Sequence, residues 1–389
     1  MPQKPTFYEF FAGGGMARAG LGEGWTCLFA NDFDVKKAES YRTNWGGDEL
    51  FVGDVAKVTT TQLPGCADLV WASFPCQDLS LAGAGAGLKG ERSGTFWPFW
   101  SLMKALRTEG RAPKTIVLEN VCGALTSHGG KDFESICEAL AGEGYRFGAL
   151  VIDAALFLPQ SRPRLFVIAV REDVGIPSSL TGKGASALFH TKALQTAHGN
   201  LPDELRANWL WWQLPQPELR NSTLADLVET EPSEGTWHSP EQTQALLSRL
   251  SPLHRTRLAD AIRHGTLVVG TAFKRMRKDA GRSSIQRTEI RFDGIAGCLR
   301  TPAGGSSRQI LLAVEGEDIR SRLLSPRESA RLMGLEDSYQ LPLRGTDAAH
   351  LLGDGVAVPV VRFLTSTLLE KIATQETESK RSKRKRVAA

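Results

Sequence analysis

From residue 5 to about residue 172, short apolar runs alternate with helical stretches at the spacing of βαβ units, and this alternation constrains the fold more than any other feature. The runs Thr6–Phe11, Thr26–Ala30, Leu69–Ala72, Thr115–Glu119, Gly148–Asp153 and Leu165–Val170 read as strands. They are apolar almost throughout, as strands covered on both faces must be. Helices are predicted near Met16–Glu23, Val35–Trp45, Phe96–Glu109 and Lys131–Glu143. Together they predict an α/β fold with a doubly wound, mostly parallel, Rossmann-like sheet.

The chain has 389 residues, too many for one core at roughly 100 to 200 residues per domain. The alternation breaks down from Pro177 to Ile290, a stretch with Trp209, Trp211 and Trp212, a helical segment near Glu241–His264 and a basic region. Helical periodicity resumes at Ser325–Met333 and Val356–Ile372. The expected organisation is an α/β domain over 1–176, a smaller irregular domain over 177–300, a return to the first domain over 301–373, and a basic disordered tail over 374–389. The three tryptophans are expected to be core of the small domain.

With 41% hydrophobic and 23% charged residues, the composition is that of a globular protein. Six cysteines without a C-x-x-C pair indicate neither a zinc module nor a disulfide framework, so no metal is expected. No run approaches the roughly 20 apolar residues of a membrane span, and the chain is expected to be cytoplasmic. The net charge is only +4, but the cations cluster in Lys274–Arg291 and Lys380–Arg386. Such clusters fit either a solvated surface or a polyanion contact.

Four motifs carry chemistry. Phe11-Ala12-Gly13-Gly14-Gly15-Met16 stands where the first strand turns into a helix, with Asp32 ending the second strand. A glycine turn lets backbone approach a ligand, and the carboxylate can hold a ribose diol. The spacing is not G-x-G-x-x-G, which disfavours a dinucleotide. Pro75-Cys76-Gln77 follows the strand Leu69–Ala72 and puts a thiol at the carboxyl edge of the sheet, where open α/β folds bind ligands. Glu119-Asn120-Val121 ends a buried-type strand in a carboxylate, costly unless partnered or used. Gln160-Ser161-Arg162-Pro163-Arg164 sets two arginines before the sixth strand, able to hold an anion or a polarised carbonyl.

In this order, and followed by Leu324-Ser325-Pro326-Arg327-Glu328 and Gly353-Asp354-Gly355-Val356, the motifs resemble the full series of the DNA (cytosine-5) methyltransferases of bacterial or phage type, over residues 7 to about 363. The resemblance implies methyl transfer from S-adenosyl-L-methionine to carbon 5 of cytosine in a specific double-stranded DNA sequence, by base flipping and a covalent Cys76–carbon 6 intermediate. It assigns catalysis to Cys76, Glu119, Arg162 and Arg164. Cofactor binding falls to Phe11, Ala12, Gly13, Gly14, Gly15, Met16, Asp32, Phe33, Asp54, Val55, Pro75, Phe96, Asp354 and Val356. DNA contact falls to Gln77, Ser80, Arg92, Lys274, Arg275, Arg277, Arg300 and Arg308. The glycine-rich stretch Gln77–Ser93 is expected to close over a flipped base.

Two positions depart from the family pattern: Asp354 stands where an asparagine is usual, and Met16 replaces a frequent glycine. The expected partner is duplex DNA, with the chain acting as a monomer, either beside a cognate endonuclease in a restriction-modification system or as an orphan enzyme without one. The alternatives are an RNA cytosine-5 methyltransferase of the same fold, a DNA-binding module without catalysis, and, remotely, a nicotinamide oxidoreductase.

Overall fold

The computed structural model describes residues 4–75, 88, 93–229, 236–278, 284–301 and 308–374. They form two compact units, the first built from 1–152, 163–217 and 360–389 and the second from 153–162 and 218–359.

The first unit is organised on a seven-stranded sheet. Its strands are β1 (Thr6–Phe10), β2 (Thr26–Asp32), β3 (Leu50–Val52), β4 (Leu69–Ala72), β5 (Thr115–Val121), β6 (Tyr145–Asp153) and β7 (Pro163–Arg171), in the order β3-β2-β1-β4-β5-β7-β6. The pairs from β3 through β5 are parallel, whereas β7 runs antiparallel to β5. Intervening helices are α1 (Met16–Leu21), α2 (Val35–Trp45), α3 (Phe96–Thr108) and α4 (Lys131–Gly142). Helix α2 begins where Asp34 accepts from the amides of Lys36 and Lys37, a side-chain N-cap.

Alternate strand residues Tyr8, Phe10, Val70, Ala72, Ile116 and Leu118 join Phe96, Phe99, Phe133 and Ile136 from α3 and α4 in one core. Tyr41 of α2 packs with Ala12 and Ala30 in a second. Period-two alternation thus gives each face of the sheet its own helices.

The segment 177–217 belongs with this unit. A short pair, β8 (Thr181–Gly182) and β9 (Trp211–Trp212), follows β7, together with α5 (Lys192–Gly199) and α6 (Asp203–Ala207). Trp209 and Trp212 are buried, as expected, but in the first unit, where Trp209 packs edge-on against Phe133 and Phe147. The backbone of 208–210 lies against β6, with Leu210 N–H donating to the Phe147 carbonyl at 2.6 Å. Gly148 permits this approach, since a Cβ there would stand 1.9 Å from the Leu210 carbonyl oxygen.

The second unit carries a four-stranded antiparallel sheet, ordered β11-β10-β12-β13, from β10 (Val268–Lys278), β11 (Ser284–Arg291), β12 (Ile310–Glu315) and β13 (Asp318–Leu323). Because β10 pairs with both β11 and β12, residues 301–359 fold with 218–300 and not with the first unit. The helical segment expected at Glu241–His264 is two helices, α7 (Pro240–Leu247) and α8 (Pro252–Arg263). Ser251, which precedes a proline, is extended at φ −71° and ψ 164° and breaks the helix.

Helices α9 (Pro326–Leu332) and α10 (Gly345–Asp354) complete this unit, and α11 (Val358–Leu364) leads to a wider turn at Thr365–Leu369. Glu328 closes a capping box with Ser325 and pairs in full burial with Arg322. The helical stretch Gly345–Thr374 has a window apolar enough by composition to cross a membrane, unlike the sequence expectation, and 61% of that window is buried inside the protein. Core packing accounts for its apolarity.

Gly148→Ala is expected to destabilise the full chain by about 1–3 kcal/mol, the usual range for overpacking, measured by denaturant unfolding. An unchanged midpoint would contradict the close approach of Leu210.

Candidate active site

In an open α/β sheet the crevice opens where successive connections leave in opposite directions. Here β1 lies between β2 and β4, so that crevice lies beyond the carboxyl ends of β1 and β4.

The turn after β1 is tightly specified. Phe11 takes a left-handed conformation at φ +58°, followed by Gly13 at +57° and Gly15 at +76°. A Cβ on Gly15 would meet Trp45 Nε1 at 2.4 Å, while that nitrogen donates to the Gly14 carbonyl at 2.9 Å. Asp32, at the end of β2, fixes the same turn, accepting from Gly13 N–H at 2.7 Å and from Asp34 N–H at 2.8 Å. It is almost fully buried, and burial pushes its carboxyl pKa up despite Lys37 and the two backbone donors.

Ala12 and Met16 are buried beneath the turn, whereas Phe33, next to Asp32, is 76% exposed. Asp54, after β3, is exposed and caps a short turn by accepting from Ala56 N–H, while Val55 is buried. Phe11 packs edge-on against Phe99, and Pro75 is half-buried. Phe96 is fully buried and stacked on Trp100, within the aromatic core.

Two strands away, the register of β5 against β7 sets Val121 opposite Arg164. It brings Arg164 Nε within 3.3 Å of Glu119 Oε1, with both side chains largely buried. Such a pair relieves part of the cost of placing a carboxylate inside the fold. Asn120 donates from Nδ2 to the Phe74 carbonyl at 3.1 Å, tying β5 to the chain that leads into Pro75. Cys76, Gln77, Ser80 and Arg92, together with all but Leu88 and Ser93 of the stretch Gln77–Ser93, lie outside the described residues, as does the tail beyond Thr374.

Arg162, expected to act in catalysis, is held by protein carbonyls. In the second unit it is 2% exposed and donates to the carbonyls of Leu299, Gly353 and Gly355 at 2.9, 2.8 and 2.6 Å. It is a strut between backbone segments, with both terminal nitrogens donating to protein carbonyls. Asp354, the departure from the family pattern, accepts from the Thr301 hydroxyl, and Val356 is buried.

The basic cluster lies on the β10–β11 ribbon. Arg277 is neutralised by Glu289, and Arg291 by Asp293. Arg275 faces Arg287 directly across the ladder, and among the described residues neither has an ion pair. Lys274 faces Thr288 on the same ribbon. Arg300 is exposed and Arg308 half-buried, and both line one small cavity with Gln309 and Leu324.

One residue escaped the sequence reading. Glu9, in the centre of β1, is 1% exposed and its Oε2 has no hydrogen-bond partner among the described residues. Burial pushes its carboxyl from the ordinary 4.5 up to about 8, opposed by Arg18 and by the α1 amides of Arg18 and Ala17. A lone carboxylate inside the apolar run Thr6–Phe10 was the available signal.

Because the folded-state value is raised, the stability Glu9 contributes is complete below about 4.5 and is lost as pH rises toward about 8. Glu9→Gln is therefore expected to stabilise the protein more at pH 9 than at pH 5 relative to the parent. Thermal melts at the two pH values test this, and an equal difference at both would contradict it.

The chain matches the family model for C-5 cytosine-specific DNA methylases over residues 5–370. It is 25% identical over 388 residues to the Type II methyltransferase M.HpaII of Haemophilus parainfluenzae, covering 95% of this chain and 90% of that protein. It is also 25% identical over 360 residues to the Type II methyltransferase M.HhaI of Haemophilus parahaemolyticus, covering 92% of each. Among solved structures it resembles the Dnmt2 methyltransferase of S. pombe, at a TM-score of 0.59 and 18% identity, covering 95% of this chain and 99% of that one. A Spodoptera frugiperda DNMT2 mutant aligns with a TM-score of 0.62 at 15% identity, covering 95% and 99%. These two likenesses show the fold. The family match spans nearly the whole chain and includes both strands of the Glu119–Arg164 pair: the chain belongs to the C-5 cytosine-specific DNA methylases.

Proposed function

We propose that the chain methylates carbon 5 of a cytosine within a specific duplex DNA sequence, with Cys76 as nucleophile and the Glu119–Arg164 pair holding the base. The observation that carries this reading is the pair itself, buried at 3.3 Å on adjacent antiparallel strands at the carboxyl edge of the sheet.

The residues around the β1 turn fit S-adenosyl-L-methionine. The glycine turn allows close backbone approach, Asp32 is a buried acceptor suited to a ribose diol, and exposed Phe33 offers an aromatic face to adenine. Phe11, Asp54, Val55 and Pro75 complete the proposed set in the first unit. When bound, S-adenosyl-L-methionine supplies an electrophilic methyl group.

The chain's residues make carbon 5 able to accept it. The Cys76 thiolate adds to carbon 6, forming a carbon–sulfur bond and shifting electron density toward carbon 5. Glu119 accepts from the exocyclic amine and, carrying a proton when the base is bound, gives it to ring N3 as charge develops there and takes it back when the ring regains its conjugation. Arg164 holds the base carbonyl and keeps Glu119 oriented. After carbon 5 gains the methyl group, a water takes its proton, and the returning electron pair expels the Cys76 thiolate.

The target base must leave the stack to reach these groups, at a cost of a few kcal/mol that protein–DNA contacts offset. Arg275 and Arg287 support such contacts. Like charges directly opposite destabilise a bare ladder, and a phosphate between them would reverse the sign. The second unit is then the target-recognition domain, and the DNA-facing set also includes Lys274, Arg300 and Arg308. Restriction-modification pairing, a monomeric state and a cytoplasmic location complete the proposal.

Transfer of labelled methyl groups to duplex DNA and to transfer RNA, followed by bisulfite sequencing, tests the reading. We expect label in DNA at one cytosine context, and about a 100-fold or greater loss of kcat in Glu119→Gln, the scale of general acid catalysis. Label confined to RNA, or an unimpaired Glu119→Gln enzyme, would contradict it.

A further inference from the structure

The basic ribbon holds an ordered arginine that the proposed phosphate contacts leave unused. Strand β10 pairs with β12 only as far as Ala272 opposite Ile310, whereas its ladder with β11 continues through six further pairs, from Phe273–Glu289 to Lys278–Ser284. At about 3.4 Å per residue, a two-stranded ribbon about 20 Å long runs on past the sheet. Its two faces differ. Ala272 and Ile290 on one face pack in the core with Leu246 and Leu250, and Thr288 on that face is fully buried. The register puts Arg275, Arg277, Arg287 and Glu289 on the other.

Glu289 stands opposite Phe273, so its ion pair with Arg277 spans the row that holds Arg275 and Arg287. Arg277 Nε donates to Glu289 Oε1 at 2.7 Å, and Nη2 reaches the same oxygen. The contact occupies one edge of the guanidinium, and among the described residues Nη1 has no partner. The Arg277 side chain is 49% exposed. An exposed pair of this kind adds little stability and costs the freedom of a long side chain. What it provides is a planar fork with a fixed orientation and a balanced charge. Arg291 is balanced as well, but it lies opposite Thr271, where β10 also pairs with Leu311 of β12, and so belongs to the sheet and not to the free ribbon.

We infer that Arg277, oriented by Glu289, reads a guanine edge in the major groove, while Arg275 and Arg287 hold the DNA backbone. Phosphate contacts draw on net charge and carry no sequence information, whereas base contacts depend on hydrogen-bond geometry. Arg275 and Arg287 keep their charge; Arg277 keeps a donor edge. Arginine matches guanine N7 and O6 bidentately, and the major groove admits a two-stranded ribbon. The inference rests on the second unit being the target-recognition domain.

The full-length protein is used to select duplexes from a randomised DNA pool. Kd is then measured for the selected duplex, for versions carrying 7-deazaguanine in place of each guanine in turn, and for an unrelated duplex, with the parent and with Arg277→Ala, Glu289→Ala and Arg275→Ala. 7-Deazaguanine lacks the N7 acceptor and still pairs with cytosine. At one position we expect the replacement to weaken parent binding at least about fivefold, the lower end for a bidentate contact. Arg277→Ala is expected to weaken binding of the selected duplex at least as much and to respond within about twofold to that same replacement, because the contact is already gone. On the unrelated duplex, Arg275→Ala is expected to flatten the salt dependence by about one phosphate contact and Arg277→Ala to leave it unchanged. Glu289→Ala frees a cation, so we expect tighter binding of the unrelated duplex together with a smaller response to 7-deazaguanine. A selected sequence without guanine, losses from Arg277→Ala and 7-deazaguanine that simply multiply at every position, or an Arg277→Ala protein weakened equally on all duplexes with a flatter salt dependence would overturn the inference. Failure of the parent to methylate the duplex it selects would instead defeat the methylation reading, and the binding comparison would still decide the role of Arg277.

Discussion

The antiparallel register of β5 against β7 is the constraint on which the proposed chemistry depends. A buried carboxylate at the end of an apolar strand carries a large desolvation cost, and a parallel continuation of the sheet would not have set Val121 against Arg164. The reversed pairing of β7 with β5, beside a run of parallel strands, puts Arg164 Nε 3.3 Å from Glu119. An acid and a fixed cation then occupy one edge, where the strands also deliver the β1 glycine turn and the chain leading into Cys76. Asp32 serves that edge in a similar way, since the carboxylate available to a ligand also orders the turn through Gly13.

Adjacent arginines of one motif divide their labour. Arg162 spends its donors on the Leu299, Gly353 and Gly355 carbonyls. Arg164, two residues on, faces Glu119. The basic ribbon divides similarly: Arg277 and Arg291 are balanced by Glu289 and Asp293, while Arg275 and Arg287 confront each other. Residue type alone therefore does not identify which cation is available to a ligand.

Much of the first unit was legible because parallel strands covered on both faces leave continuous apolar runs. Helix α2 was legible to its ends because Asp34 caps it and Gly46 follows it. Strand β3 escaped notice, since three residues, Leu50–Val52, are too few to show a period. The sheet of the second unit was hidden for another reason. The cations of β10 and β11 read as a basic region, and the pairing of β10 with β12 joins residues some forty positions apart. That pairing moved the division between units away from the expected boundary near 300. Within the site, the motifs were legible as strings, but the burial of Phe96, the strut role of Arg162 and the burial of Glu9 follow from packing, which a string does not encode.

The central claim is that one sulfur bonds transiently to the cytosine held beside Glu119. It is tested most directly by incubating the protein and S-adenosyl-L-methionine with a duplex carrying 5-fluorocytosine in its target context, then mapping the denaturation-resistant adduct by peptide mass spectrometry. Fluorine at carbon 5 blocks the final proton loss, so the expected result is a stable nucleotide adduct on the peptide containing Cys76, absent in Cys76→Ala. An adduct on another cysteine, or none with DNA that the enzyme otherwise methylates, would contradict the claim.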